Sequence, residues 1–156
     1  MRFNIYKFVL QPFLFIVLVQ LFSCSPGACF EQTESLVKAT MYDLATLKPL
    51  APDSLTLYGL DRDTNKIYNK ALKLLTVEFP LNAGTDSCKF IIRINGITDT
   101  LGFIYSSFPH LLSKECGYTF FYTLDTAVHT TNAIDSIHII NKTITTFNEE
   151  NIRIFY

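Results

Sequence analysis

Three histidines, four cysteines and a scatter of carboxylates are the side chains of this 156-residue chain that could serve as bases, nucleophiles or ligands. His110 follows Pro109 in a stretch that reads as a loop, and Cys116 lies close enough in sequence to be imagined as a thiol activated by that imidazole. No third group is placed to orient the histidine, and Cys116 suits a disulfide better, so the pair is not expected to catalyse anything. His129 stands alone, and His138 sits inside an alternating run and reads as a cross-strand residue. Asp53, Asp61, Asp63, Asp86, Asp99, Asp125 and Asp135 read as turn residues. Asp61-Arg62-Asp63-Thr64-Asn65 resembles the start of a calcium loop, but the following glycine and the closing bidentate glutamate are missing. The chain has no C-x-x-C pair, and Asn141-Lys142-Thr143 is a formal glycosylation sequon that reads as a turn. The expectation is a non-enzymatic protein with no catalytic residues, no metal and no cofactor.

The cysteine with the most specific surroundings is Cys24. Arg2 and Lys7 give the N-terminus a positive charge, and an uncharged segment of about 15 residues runs from Phe8 to Phe22. That length suits a signal peptide and falls short of the roughly 20 apolar residues of a permanent span. Leu21-Phe22-Ser23-Cys24 resembles a lipobox, with an aliphatic residue three before the cysteine and a small one just before it; Phe22 is bulkier than usual there. In such signals the cysteine carries the acyl chains, palmitate among them. Two or more chains hold lastingly, because each buried methylene adds about 0.8 kcal/mol. The alternative is an ordinary cleaved signal ending after Ala28. The organisation expected is a signal peptide over 1–23, a lipidated Cys24 with a leader over 24–35, and one domain over 36–156.

With Cys24 acylated, three thiols remain and one must be odd. Cys88, Phe90, Ile92 and Ile94 share a face by the two-residue period of a strand, so Cys88 reads as a small buried hydrophobe. Cys29, in the leader, and Cys116, before Gly117, are both loop positions. An oxidising compartment permits a Cys29–Cys116 bond, the preferred pairing; a bridge through Cys88 is the alternative.

The elements that must position these residues are short β-prone runs. They fall at 36–42, 54–59, 67–68, 87–95, 97–105, 117–124, 134–140 and 151–156, with turn chemistry between them. Pro49, Pro52 and Asp53 mark the first loop as a break, Asn95-Gly96 is a hairpin dipeptide, and 70–81 reads as mostly extended before Pro80. Residues 106–116 read as a loop or a single helical turn interrupted by Pro109. Seven or eight strands without βαβ units predict an all-β fold, a single antiparallel β-sandwich, Ig-like or related.

Aromatic residues are abundant, with 14 Phe and 8 Tyr. Tyr118, Phe120, Phe121 and Tyr122 put rings on both faces of one strand. They are either core and cross-strand pairs or a candidate binding patch. The 13 basic residues nearly balance the 14 acidic ones and form no basic stripe, which argues against nucleic acid as a partner.

Several short stretches line up with a known pattern: Cys29 with Glu31 nearby, a strand ending in Tyr42, Leu55-Thr56-Leu57-Tyr58-Gly59, Phe79-Pro80-Leu81-Asn82, the Asp99–Tyr105 strand, Cys116-Gly117-Tyr118, and Asn151-Ile152-Arg153-Ile154-Phe155-Tyr156. Together they resemble the DUF6452 type of uncharacterised lipoproteins of Bacteroidetes. Phe30, between Cys29 and Glu31, departs from the pattern, and Cys88 is not part of it. The resemblance implies an envelope β-domain and a paired Cys29 and Cys116, and it carries no activity. The expectation is a binding or assembly module anchored to the bilayer through Cys24, with an envelope protein as its partner. The residues after Cys24 lack the acidic run that resembles a surface-export tag, which favours the outer membrane facing the periplasm. The alternative function is a carrier of small apolar ligands with a calycin-like β-barrel cavity.

Overall fold

The computed structural model describes residues 29–156. The expected signal peptide over 1–23, the lipidation site Cys24 and the first part of the leader lie outside the described residues. The chain divides between Phe30 and Glu31, and the architecture below is that of Glu31–Tyr156.

Among the described residues the chain forms ten strands: β1 (Leu36–Tyr42), β2 (Leu55–Gly59), β3 (Lys66–Ala71), β4 (Thr76–Pro80), β5 (Ser87–Ile94), β6 (Ile97–Ser113), β7 (Gly117–His129), β8 (Ser136–Ile139), β9 (Thr143–Ile144) and β10 (Ile152–Phe155). None of these residues forms a helix long and apolar enough to cross a membrane. The strands make two packed sheets, in the orders β4-β1-β10-β8 and β3-β2-β5-β6-β7-β9, so the fold is all-β and consistent with a sandwich. The strand total exceeds the seven or eight legible in the sequence, because β9 is too short to leave a pattern and the extended 70–81 stretch, not counted among them, supplies β4. One neighbour relation is also not antiparallel. β1 and β10 run parallel, with Ala39 opposite Ile152 and Tyr42 opposite Phe155. Parallel neighbours need a long crossover, and here nearly the whole domain supplies it.

The alternating patterns become two inward faces. Val37, Ala39 and Met41 of β1, Val77 and Phe79 of β4 and Ile152 and Ile154 of β10 are buried from one sheet. From the other come Leu55, Leu57, Phe90, Ile92, Ile94, Leu101, Phe103, Tyr105 and Leu124. The Phe79 ring sits 5.3 Å from both Phe90 and Phe103 in edge-on contacts across the layers. Asn95 and Gly96 take the left-handed φ values of 50° and 92° that the tight hairpin between β5 and β6 requires.

The largest departure from the sequence expectation is in β6. The predicted loop over 106–116 is strand as far as Ser113, and β6 passes through Pro109 without a break. β5 pairs with β6 only from Ile97 to Ile104, whereas β7 pairs with it out to the Ser113–Gly117 step. Pro109 therefore lies where β6 has no neighbour on its other side, the place where a missing N–H is tolerated.

Candidate functional site

Cys29 and Cys116 are disulfide-bonded, and among the described residues Cys88 is the free thiol. Cys116 occupies the turn between β6 and β7, where its N–H donates to Ser113 Oγ at 3.0 Å. With its sulfur in the disulfide, Cys116 has no thiol to pair with His110. That imidazole instead stacks on Phe121, with centroids 4.1 Å apart. His129 Nδ1 lies 2.9 Å from the Thr130 carbonyl, and the His138 ring is 5.0 Å from that of Phe155. Asp61 and Asp63 sit in an exposed turn. Among the described residues no group of His, Cys, Asp or Glu converges in a way that could hold a metal ion.

The aromatic residues singled out in the sequence fall on the outer part of the β6–β7 hairpin. β9 pairs with β7 only at Tyr122 and Thr123, and β5 leaves β6 after Ile104. Beyond these points the hairpin is a two-stranded ribbon with no strand on either side. Register and the two-residue period assign its side chains to two faces. Phe108, His110 and Phe121 share one, with Phe108 opposite Phe121. Pro109, Leu111, Tyr118 and Phe120 share the other, which continues the core face of Tyr122 and Leu124. Burial falls steeply along that second face. Tyr122 is 6% exposed and belongs to the core, Phe120 is 43% exposed, Leu111 50% and Tyr118 74%. The four aromatics therefore divide: Tyr122 is packing, Phe121 is half-buried, and Tyr118 and Phe120 are open. Thr119 Oγ1 donates to the Thr33 carbonyl, which ties that residue to the ribbon.

Three buried residues bind the fold through polar groups, a role that sequence reasoning gave to none of them. Asp99, expected in a turn, lies on the inward face of β6 with Leu101 and Phe103. Its carboxylate accepts from Thr130 Oγ1 and from the backbone N–H groups of Asn132, Ala133 and Ile134. Burial would raise its pKa, but these hydrogen bonds outweigh it and hold the carboxyl below its ordinary value. Asn151 accepts from the Lys38 N–H and donates toward the carbonyls of Asn141 and Thr143, joining β1 to the β8–β9 loop. The Tyr105 hydroxyl donates to the Asn82 carbonyl and accepts from the Asn82 N–H. Alternation alone could have found Asp99, since a carboxylate at an inward strand position must be hydrogen-bonded to be tolerated. Cys88, beside Tyr105, has its thiol pushed up to about 11 by burial, partly offset by hydrogen bonds from Tyr105 and the Phe103 backbone.

The family described as "Family of unknown function (DUF6452)" matches residues 54–156, about two-thirds of the chain. The chain belongs to this family. No curated protein matches it, and no solved structure does. The DUF6452 match takes in β2 to β10 and leaves β1 and the leader outside its span. Several of the residues that carried the resemblance hold the fold: Phe79 centres the ring cluster, Asn82 meets Tyr105, and Asn151 bridges β1 and the β8–β9 loop.

Proposed function

We propose that this chain is a lipid-anchored, non-enzymatic binding or assembly module of the bacterial cell envelope, of the Bacteroidetes lipoprotein kind. The observation that carries this reading is the β6–β7 ribbon, which extends past the paired part of its sheet and leaves Leu111, Tyr118 and Phe120 open to solvent. Exposed apolar patches mark surfaces that meet a protein or a membrane. The disulfide supports export to an oxidising compartment, and the signal segment with Cys24 supplies the anchor. The site proposed is the outer membrane, facing the periplasm, with the bilayer as one partner and an envelope protein as the other. Neither nucleic acid nor a metal enters the proposal.

The carrier alternative rests on the six-stranded sheet, which curls into a half-barrel. Its inward face is occupied by the domain's own rings, with Phe79 against Phe90 and Phe103, and Tyr105 5.5 Å from Tyr122. Side chains filling that space favour a working surface over a ligand cavity.

The test is radioactive palmitate labelling with membrane fractionation, followed by cross-linking in native cells. The wild-type chain is expected to label, to sediment with membranes and to cross-link to one defined envelope protein. Cys24→Ala is expected to lose all three, because the tether supplies the local concentration. A Cys24→Ala chain that still labels refutes the anchor, and a wild-type chain that labels but captures no protein refutes the assembly role.

A further inference from the structure

We infer that the Leu111–Tyr118–Phe120 face of the β6–β7 ribbon rests in the interfacial layer of the bilayer that carries the anchor. The inference rests on the lipid anchor proposed above and identifies what that ribbon face touches. Its first support is covalent reach. Cys24 and Cys29 are five residues apart, so fully extended chain separates them by at most about 17 Å. Cys29 is bonded to Cys116, at the turn of the ribbon. The acylated residue is thus tied at short range to the end of the hairpin, not to the far side of the sandwich. At about 3.3 Å per residue, Tyr118 and Phe120 lie within roughly 15 Å of the disulfide along β7. The two covalent links keep the turn of the ribbon near the headgroups, within reach of this face.

The second support is what the face offers once there. Leu111, Tyr118 and Phe120 are 50%, 74% and 43% exposed, and Pro109 beside them is exposed as well. Tyrosine suits the headgroup level, where its ring meets acyl carbons and its hydroxyl stays wet. Lys114 and Glu115 are exposed at the turn itself. These charges keep the turn out of hydrocarbon, so the ribbon lies with its face on the surface and does not drive its tip inward. Lys114 is left at phosphate depth. The acyl chains of Cys24 supply the lasting attachment. The ribbon adds a contact of its own, fixes which side of the sandwich looks away from the membrane and leaves that side to the envelope protein.

The chain contains no tryptophan, so one introduced indole reports its own position. The full chain carrying Tyr118→Trp is purified from palmitate-labelled membranes and reconstituted into phosphatidylethanolamine–phosphatidylglycerol vesicles with brominated acyl chains. Ile67→Trp, on the edge strand β3, is the control. The expected result is co-flotation with vesicles, a blue-shifted Tyr118→Trp emission, and quenching at least twofold greater than for Ile67→Trp. A labelled, floating protein whose Tyr118→Trp is quenched no more than the control overturns the inference and leaves the anchor standing. A protein that takes up no palmitate and does not float overturns the anchor, and the inference with it. Photoreactive benzoylphenylalanine in place of Phe120 distinguishes occupants in the same vesicles and in cells. A lipid adduct supports the inference; an adduct to a second copy of the chain, or to another protein, overturns it.

Discussion

Asp99 shows what a single side chain does in this fold. A carboxylate among Leu101, Phe103 and Ile134 would be costly if unpaired, yet it closes the 130–134 loop by accepting four hydrogen bonds. Asp99→Asn keeps the shape but puts an amide donor where a backbone N–H now donates. Hydrogen bonds to charged groups contribute about 1.5–3 kcal/mol each, so a loss of ~2–3 kcal/mol is expected in urea unfolding. The depressed pKa sets the pH dependence. The folded form binds its proton less readily than the unfolded form, so the stabilisation is complete above the ordinary value of 3.8 and disappears as pH falls through the lower folded value. Acid titration of stability should therefore flatten below pH 3.8 in Asp99→Asn relative to wild type. Cys88 yields a second expectation. With its thiol pushed up to about 11, only on the order of one molecule in a thousand holds a thiolate at pH 8. Iodoacetamide at that pH should leave Cys88 unmodified in the native protein and alkylate it promptly in denaturant, as read by mass spectrometry.

At the scale of elements, the β6–β7 ribbon is the part least able to stand by itself. An isolated two-stranded hairpin is marginal in water, and beyond Ile104 this one has no neighbouring strand on either side until β9 at Tyr122. What holds it is its own ladder, the His110–Phe121 stack, the hydrogen bonds of Ser107 and Thr119 to the Ala83 and Thr33 carbonyls, and the disulfide at Cys116. Cys29→Ser with Cys116→Ser is expected to cost about 2–5 kcal/mol, the range typical of a native disulfide. Hydrogen exchange should localise the loss: amides of 107–121 should exchange much faster, with little change in β5 and in the β5-paired part of β6. Uniform acceleration across both sheets would mean that the ribbon is not a separate opening unit. The ribbon was only half legible in the sequence. Residues 117–124 read as a strand from their ring-rich alternation, but Pro109 hid the strand opposite. Proline argues against a central strand, and only the pairing shows that β6 is not central there.

At the scale of the whole molecule, β1 and β10 join the two ends of the domain. β10 lies between β1 and β8, so it is an interior strand of its sheet despite ending the chain. The DUF6452 match starts at Ser54 and leaves out β1, yet Val37, Ala39 and Met41 are fully buried. The folding unit is larger than the matched span. A fragment of residues 54–156 would expose one edge of β10 and the core beneath β1, and is expected to lack a cooperative thermal transition in circular dichroism, while 31–156 keeps one. Removing 151–156 should be as damaging, since it splits the four-stranded sheet and takes away Asn151 together with Ile152 and Ile154. A cooperative melt from either truncated chain would show that the two sheets are less interdependent than their packing implies.

The two-residue alternation of apolar side chains was enough, by itself, to establish an all-β domain, to locate most of its strands and to say which side of each faces inward. That signal is local, because successive Cβ atoms point to opposite faces whatever the strand pairs with. Leader and turn positions likewise singled out Cys29 and Cys116 from Cys88. Strand order, the parallel contact of β1 with β10, and the short β9 depend on pairings between distant residues, which leave no periodic trace. The same holds for the two features with most bearing on function. Tyr118, Phe120, Phe121 and Tyr122 look alike in sequence, and only the extent of β5 and β9 decides that Tyr122 is core while Tyr118 and Phe120 are surface. Asp99 shares the inward alternation of β6, and what only the tertiary structure supplies is the 130–134 loop that closes over its carboxylate. A residue's face is written in its near neighbours; whether that face is covered is decided by strands far away in the chain.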